Sequence, residues 1–172
     1  MTKSFRIVLP VKPHIRKYIH SLYGLPVTID KTTLLGNIML CLLQKKTMAP
    51  NINLQKVQGR FLRLTAKIEC HAMMYRGEDT GIHITQNHII VINQMMENMF
   101  DDDLYKWMLS NTSRDGRYRG YNKALRSFME SYSIEENVDI SFDTLKKAEY
   151  RRRKKIKENN RKLLQDFVPA FF

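Results

Sequence analysis

Cysteine is scarce in this chain: Cys41 and Cys70 are the only two among 172 residues, and both sit in apolar patterns. That scarcity excludes a disulfide-stapled scaffold and reads as a pair of buried, reduced thiols in an intracellular protein. Long hydrophobic runs are missing as well. The longest, "TLLGNIMLCLL", covers residues 33–43, well short of the roughly 20 residues that a spanning helix requires. The opening "MTKSFRIVLP" is too short for a secretory leader and is broken by Arg6 and Pro10. Low-complexity tracts and internal repeats are absent, and a hydrophobic content of 43% suffices to build a core.

Catalytic signatures are missing too. The chain contains no HExxH, no Cys-x-x-Cys, no glycine-rich phosphate loop and no Ser/His/Asp or Cys/His nucleophile arrangement. His71, His83 and His88 lie near Glu78 and Asp79, yet their spacing matches no metal-site pattern, so they read as strand and helix-cap histidines. Asp101, Asp102 and Asp103 look like a cation cluster on paper. Consecutive helical residues point roughly 100° apart, however, so the three cannot converge on one ion. They read instead as an acidic, solvated break between two helical halves, or as a patch for the basic tail of a neighbouring copy. The methionines at 73, 74, 95, 96 and 99 read as core. The sequence therefore leads us to expect a non-enzymatic, cytoplasmic protein with no cofactor, no bound metal and no membrane partner.

What the chain does have is charge of one sign, concentrated in one place. The formal net charge is +12, and the segment from Lys146 to Lys162 holds ten Lys/Arg against two acidic residues. So lopsided a helix points to a polyanion, and nucleic acid is the commonest such partner. The residues assigned to this contact are Lys146, Lys147, Arg151, Arg152, Arg153, Lys154, Lys155, Lys157, Arg161 and Lys162. Arg114, Arg117 and Arg119 in the preceding loop add support, with Tyr118 beside them.

Hydropathy patterning predicts an α+β fold. "SFRIVLPV" reads as a short strand ending at Pro10, followed by a helix bracketed by Pro13 and Gly24. Asp30 reads as the N-cap of a second helix that stops near Lys45 and Lys46. Its expected apolar face comprises Leu34, Leu35, Ile38, Met39, Leu42 and Leu43. Residues 62–72 alternate, with Leu62, Leu64, Ala66, Ile68, Cys70 and Ala72 on one side and charged or polar residues on the other. That is the mark of an antiparallel sheet with one solvated face, and "IHI" at 82–84 reads as its returning strand. Thr85 and Ser141 read as N-caps of long helices. The loop "SNTSRDGRYRG" divides an α+β core of residues 1–112 from a helical basic module of residues 120–172. Within that module Ala124, Leu125, Phe128, Met129 and Tyr132 supply an apolar face onto which Ile134, Ile140, Phe142 and Leu145 close, in a helix-turn-helix-like plan.

The stretch "YNKALRSFMESYSIEENVDISFDTLKKAEYRRRKK" resembles the C-terminal part of small basic proteins of bacterial mobile elements and phages, a family without an assigned activity. The resemblance implies a mobile-element setting in a bacterial host and a role near DNA. It supplies no catalytic residues. The expected function is non-enzymatic DNA binding, with duplex favoured over single strands. The alternative is a phage structural or assembly component, virion-associated or homo-oligomeric, whose basic helix and terminal Phe171 and Phe172 grip an acidic protein. A metal-dependent nuclease using His83 or Asp79 ranks third.

Overall fold

The computed structural model describes residues 3–42, 44–45, 66–74, 82–83, 85–112 and 120–166. The arrangement is α+β, as expected, with five helices and a three-stranded sheet among the described residues. The chain divides into two compact units, 1–97 and 98–172. The loop expected to separate the domains lies largely outside the described residues.

In the first unit β1 (Lys3–Val11) runs antiparallel to β4 (Ala66–Met74), and β2 (Val27–Ile29) lies parallel to β4 on its other side. The sheet is therefore mixed rather than antiparallel throughout. Pro10 does not end β1, because on an edge strand its missing N–H deprives no neighbour of a ladder bond. Alternation places Ile7, Leu9 and Val11 of β1, Ile68 and Cys70 of β4, and Val27 and Ile29 of β2 in the core. On the opposite face Arg6 pairs with Glu69 across the ladder. The "IHI" segment pairs elsewhere: β5 (Ile82–His83) joins β3 (Gln44–Lys45) in a separate two-stranded ladder.

Helix α1 (Pro13–Tyr23) buries His14, Ile15, Tyr18 and Ile19, and it closes at Gly24, whose φ of 71° suits a residue without Cβ. Helix α2 (Leu34–Leu42) starts later than expected. Thr33 is its actual cap, since its Oγ1 accepts from the Gly36 amide at 3.0 Å. Asp30 caps the preceding turn, accepting from the Thr32 hydroxyl and amide at 2.5 and 2.8 Å and from the Thr33 amide at 3.2 Å. The Thr32 hydroxyl, then the Thr32 and Thr33 amides, hold its carboxyl below the usual carboxylate range. Gly36 permits this approach, because a Cβ there would stand 2.4 Å from the Asp30 carbonyl oxygen. Of its expected apolar face, Leu35 and Met39 are buried, whereas Leu34, in the first turn, is 59% exposed. Cys41 is exposed as well, contrary to expectation, while burial pushes the Cys70 thiol up to about 12.

Helix α3 (Gln86–Asn111) is capped by Thr85 as expected, with the His88 amide donating to its Oγ1 at 3.3 Å. Asn93 is 1% exposed and donates to the carbonyls of Pro10 and Ile89, both at 3.0 Å, which fastens the helix to β1. Lys12 and Glu97 add an ion pair at 2.7 Å. No break occurs at Asp101–Asp103. Phe100 and Leu104 are both buried on either side of the triplet, so packing holds the helix straight through it.

The second unit contains the last turns of α3, then α4 (Tyr121–Ser131) and α5 (Phe142–Asp166). Phe128 is its hub, with the rings of Tyr132, Phe100 and Trp107 at 4.9, 5.5 and 6.0 Å. The Trp107 indole N–H donates to the Ala124 carbonyl at 3.1 Å. Leu125, Met129, Ile134, Ile140 and Leu145 complete the nucleus as the apolar pattern indicated. Burial, followed by the charge of Asp103, raises the Tyr132 phenol above its ordinary value.

The end of α4 explains how the chain turns. The Ser133 amide donates to the Glu130 carbonyl at 3.0 Å and the Ile134 amide to the Met129 carbonyl at 2.8 Å, the paired closure of a Schellman motif. Ser133 occupies its left-handed position at φ 52°, where glycine is ordinarily preferred. Ser133→Gly is expected to stabilise the second unit by about 1 kcal/mol, seen as a higher urea midpoint with unchanged slope. The connection then runs from 132 to 141, longer than the roughly three to four residues of a helix-turn-helix. The expected helix-turn-helix likeness finds no support here.

Candidate nucleic-acid interface

Ser141 opens α5, its Oγ accepting from the Thr144 amide at 3.3 Å. Asp143 lies in the first turn and the cations follow, so the charge order suits the helix dipole. The buried side is written into the spacing: Phe142, Leu145, Glu149, Arg152 and Ile156 all face inward at least in part.

Glu149 is the residue that sequence reasoning missed. It is one of only two acids among the ten cations, yet only 1% of it is exposed. Arg153 donates to it three times, from Nε at 2.9 Å and from Nη2 at 2.6 Å to each oxygen, and the Tyr121 hydroxyl donates at 2.9 Å. A buried carboxylate must be compensated in this way. The signal was available: Glu149 stands seven residues after Phe142 and four after Leu145, in the apolar register of the helix.

The ten basic residues of α5 therefore fall into two groups. Arg152 is paired with Asp102 of α3 and Arg153 with Glu149, and both are only partly exposed. Lys146 is half-buried with its ammonium 4.7 Å from the Phe142 ring centre, and the Arg126 guanidinium lies 5.2 Å from the same centre. Phe142 is thus a cation platform as much as a core residue.

The remaining seven, Lys147, Arg151, Lys154, Lys155, Lys157, Arg161 and Lys162, are exposed. At roughly 100° per residue they share one face. Lys147, Lys154 and Arg161 repeat at seven-residue intervals, with Arg151, Lys155 and Lys162 beside them and Lys157 on the other flank. The stripe spans about 22 Å at 1.5 Å per residue. Among the described residues its one ion pair is Lys154–Glu158 at 3.8 Å, between two exposed side chains. From Lys157 to Lys162 every residue is exposed.

Arg114, Arg117 and Arg119 lie outside the described residues, as do Tyr118, Asp79, Phe171 and Phe172. Asp102 is committed to Arg152, and Asp103 to Lys106 at 3.4 Å. No group of three or more His, Cys, Asp or Glu among the described residues is placed to hold a metal ion. No described helix is long and apolar enough to cross a membrane.

Fold and site together define an α+β protein bearing a basic helical arm. Comparison of the chain with protein-family models, curated proteins and solved structures returns no match.

Proposed function

We propose that this protein binds duplex DNA without catalysing a reaction on it, laying the exposed stripe of α5 along the phosphate backbone. The observation carrying this reading is the one-sidedness of the arm. Seven cations lie on its exposed face, whereas the cations that hold the fold together are kept on the other side. Such a stripe neutralises phosphates and releases counterions, which supplies affinity without reading base sequence. The setting proposed is a bacterial phage or mobile element, on the strength of the resemblance over residues 121–155.

The test is retention on duplex DNA across a salt series from ~50 to ~300 mM. Log affinity is expected to fall linearly with log salt at a slope near −5, on the order of −0.9 for each neutralised phosphate. Absence of binding at the lowest salt would sink the reading and direct the search to an acidic protein partner.

A further inference from the structure

One side of α5 does something the stripe does not account for. A cleft of about 440 Å³ opens between the start of α4 and the second and third turns of α5, inside the roughly 300–1,000 Å³ range of small-ligand sites. Two tyrosines, Tyr121 and Tyr150, wall it, and Lys146, Lys147 and Arg151 stand around it. Tyr121 is held rigid from within, because its hydroxyl donates to Glu149 at 2.9 Å and the Arg153 guanidinium lies 5.9 Å from its ring centre. Tyr150 is 63% exposed, so its ring is open to a ligand entering the cleft.

Aromatic faces backed by cations are what a base and its phosphate require together. We infer that this cleft takes one unpaired nucleotide of a DNA strand, its base stacked against the tyrosine rings and its phosphate held by Lys147 and Arg151. The inference rests on the DNA reading above, since those two cations also belong to the stripe that lies on the adjoining duplex. The preferred ligand is then a duplex interrupted by a gap or flap, not an unbroken one. No base is preferred, because both oxygens of Glu149 are already occupied by Arg153 and Tyr121 and are not offered to a base edge.

The test uses the full chain, as wild type, Tyr150→Ala and Tyr150→Phe, with two fluorescein-labelled DNAs: a short duplex, and the same duplex carrying a central single-stranded gap. Wild type is expected to bind the gapped DNA on the order of tenfold more tightly. Tyr150→Ala should lose that preference while keeping its affinity for the unbroken duplex, and Tyr150→Phe should retain it. Equal affinity of wild type for the two DNAs, or a preference that survives in Tyr150→Ala, would overturn the cleft and leave the stripe standing. Failure to bind either DNA at low salt would overturn both.

Discussion

The triple variant Lys147→Glu, Lys154→Glu, Arg161→Glu is expected to lose retention on DNA at ~150 mM salt, with affinity falling by at least ~1,000-fold. These three side chains form one row of the stripe, so their reversal removes three phosphate contacts and sets three anions against the backbone. The salt slope should shrink by about three, close to one for each lost contact. The fold should survive, because all three are exposed and such surface changes ordinarily stay within about 0.5 kcal/mol. A binding isotherm, together with far-UV circular dichroism, checks both halves. Wild-type affinity in a folded triple variant would remove α5 from the interface. A pair taken from the inward side instead, Arg152→Glu with Arg153→Glu, cannot serve. It would place new carboxylates against Asp102 and Glu149, and lost binding would report lost structure.

Arg153→Ala is expected to cost about 3–5 kcal/mol, towards the lower end because the arginine side chain is 27% exposed. The asymmetry of the pair sets that magnitude. Removing the arginine strands a carboxylate that is 1% exposed, leaving it a single hydrogen bond from Tyr121. Removing the charge of the carboxylate instead, as in Glu149→Gln, leaves a guanidinium that can turn toward water, and the cost should be smaller. Arg153→Lys should fall near the alanine variant, since one ammonium cannot reproduce the three donations. Urea denaturation of the three variants gives the order directly. An Arg153→Ala unfolding free energy within about 1 kcal/mol of wild type would refute the role assigned to this pair.

Local signals were legible where one short stretch of chain determined the outcome. The alternation around Ile68 and Cys70, the caps at Thr85 and Ser141 and the helix from Pro13 to Tyr23 each depend on spacing within a few residues. The start of α2 was misread because Asp30 and Thr33 are both good cap residues, and a buried approach at Gly36 decides between them. Pairing partners were not legible. Three residues, Val27–Ile29, carry too little pattern to announce a parallel partner in β4, and nothing in Ile82–His83 names β3 rather than β4. The basic run was visible as charge. Its division into three inward cations and an outward stripe was obscured, because Arg152 finds Asp102 fifty residues away in the chain.

The placement of the rare residues has a practical consequence. The chain's one tryptophan, Trp107, lies in the second unit with its indole bonded to Ala124, and both cysteines lie in the first. Emission from a single indole therefore reports from within residues 98–172, while alkylation of the buried Cys70 thiol, timed against the exposed Cys41, reports from within residues 1–97. The molecule thus carries one spectroscopic and one chemical reporter, one in each unit, without any introduced label. Run together on Arg153→Ala, they distinguish a lesion confined to one unit from a collapse of the whole chain.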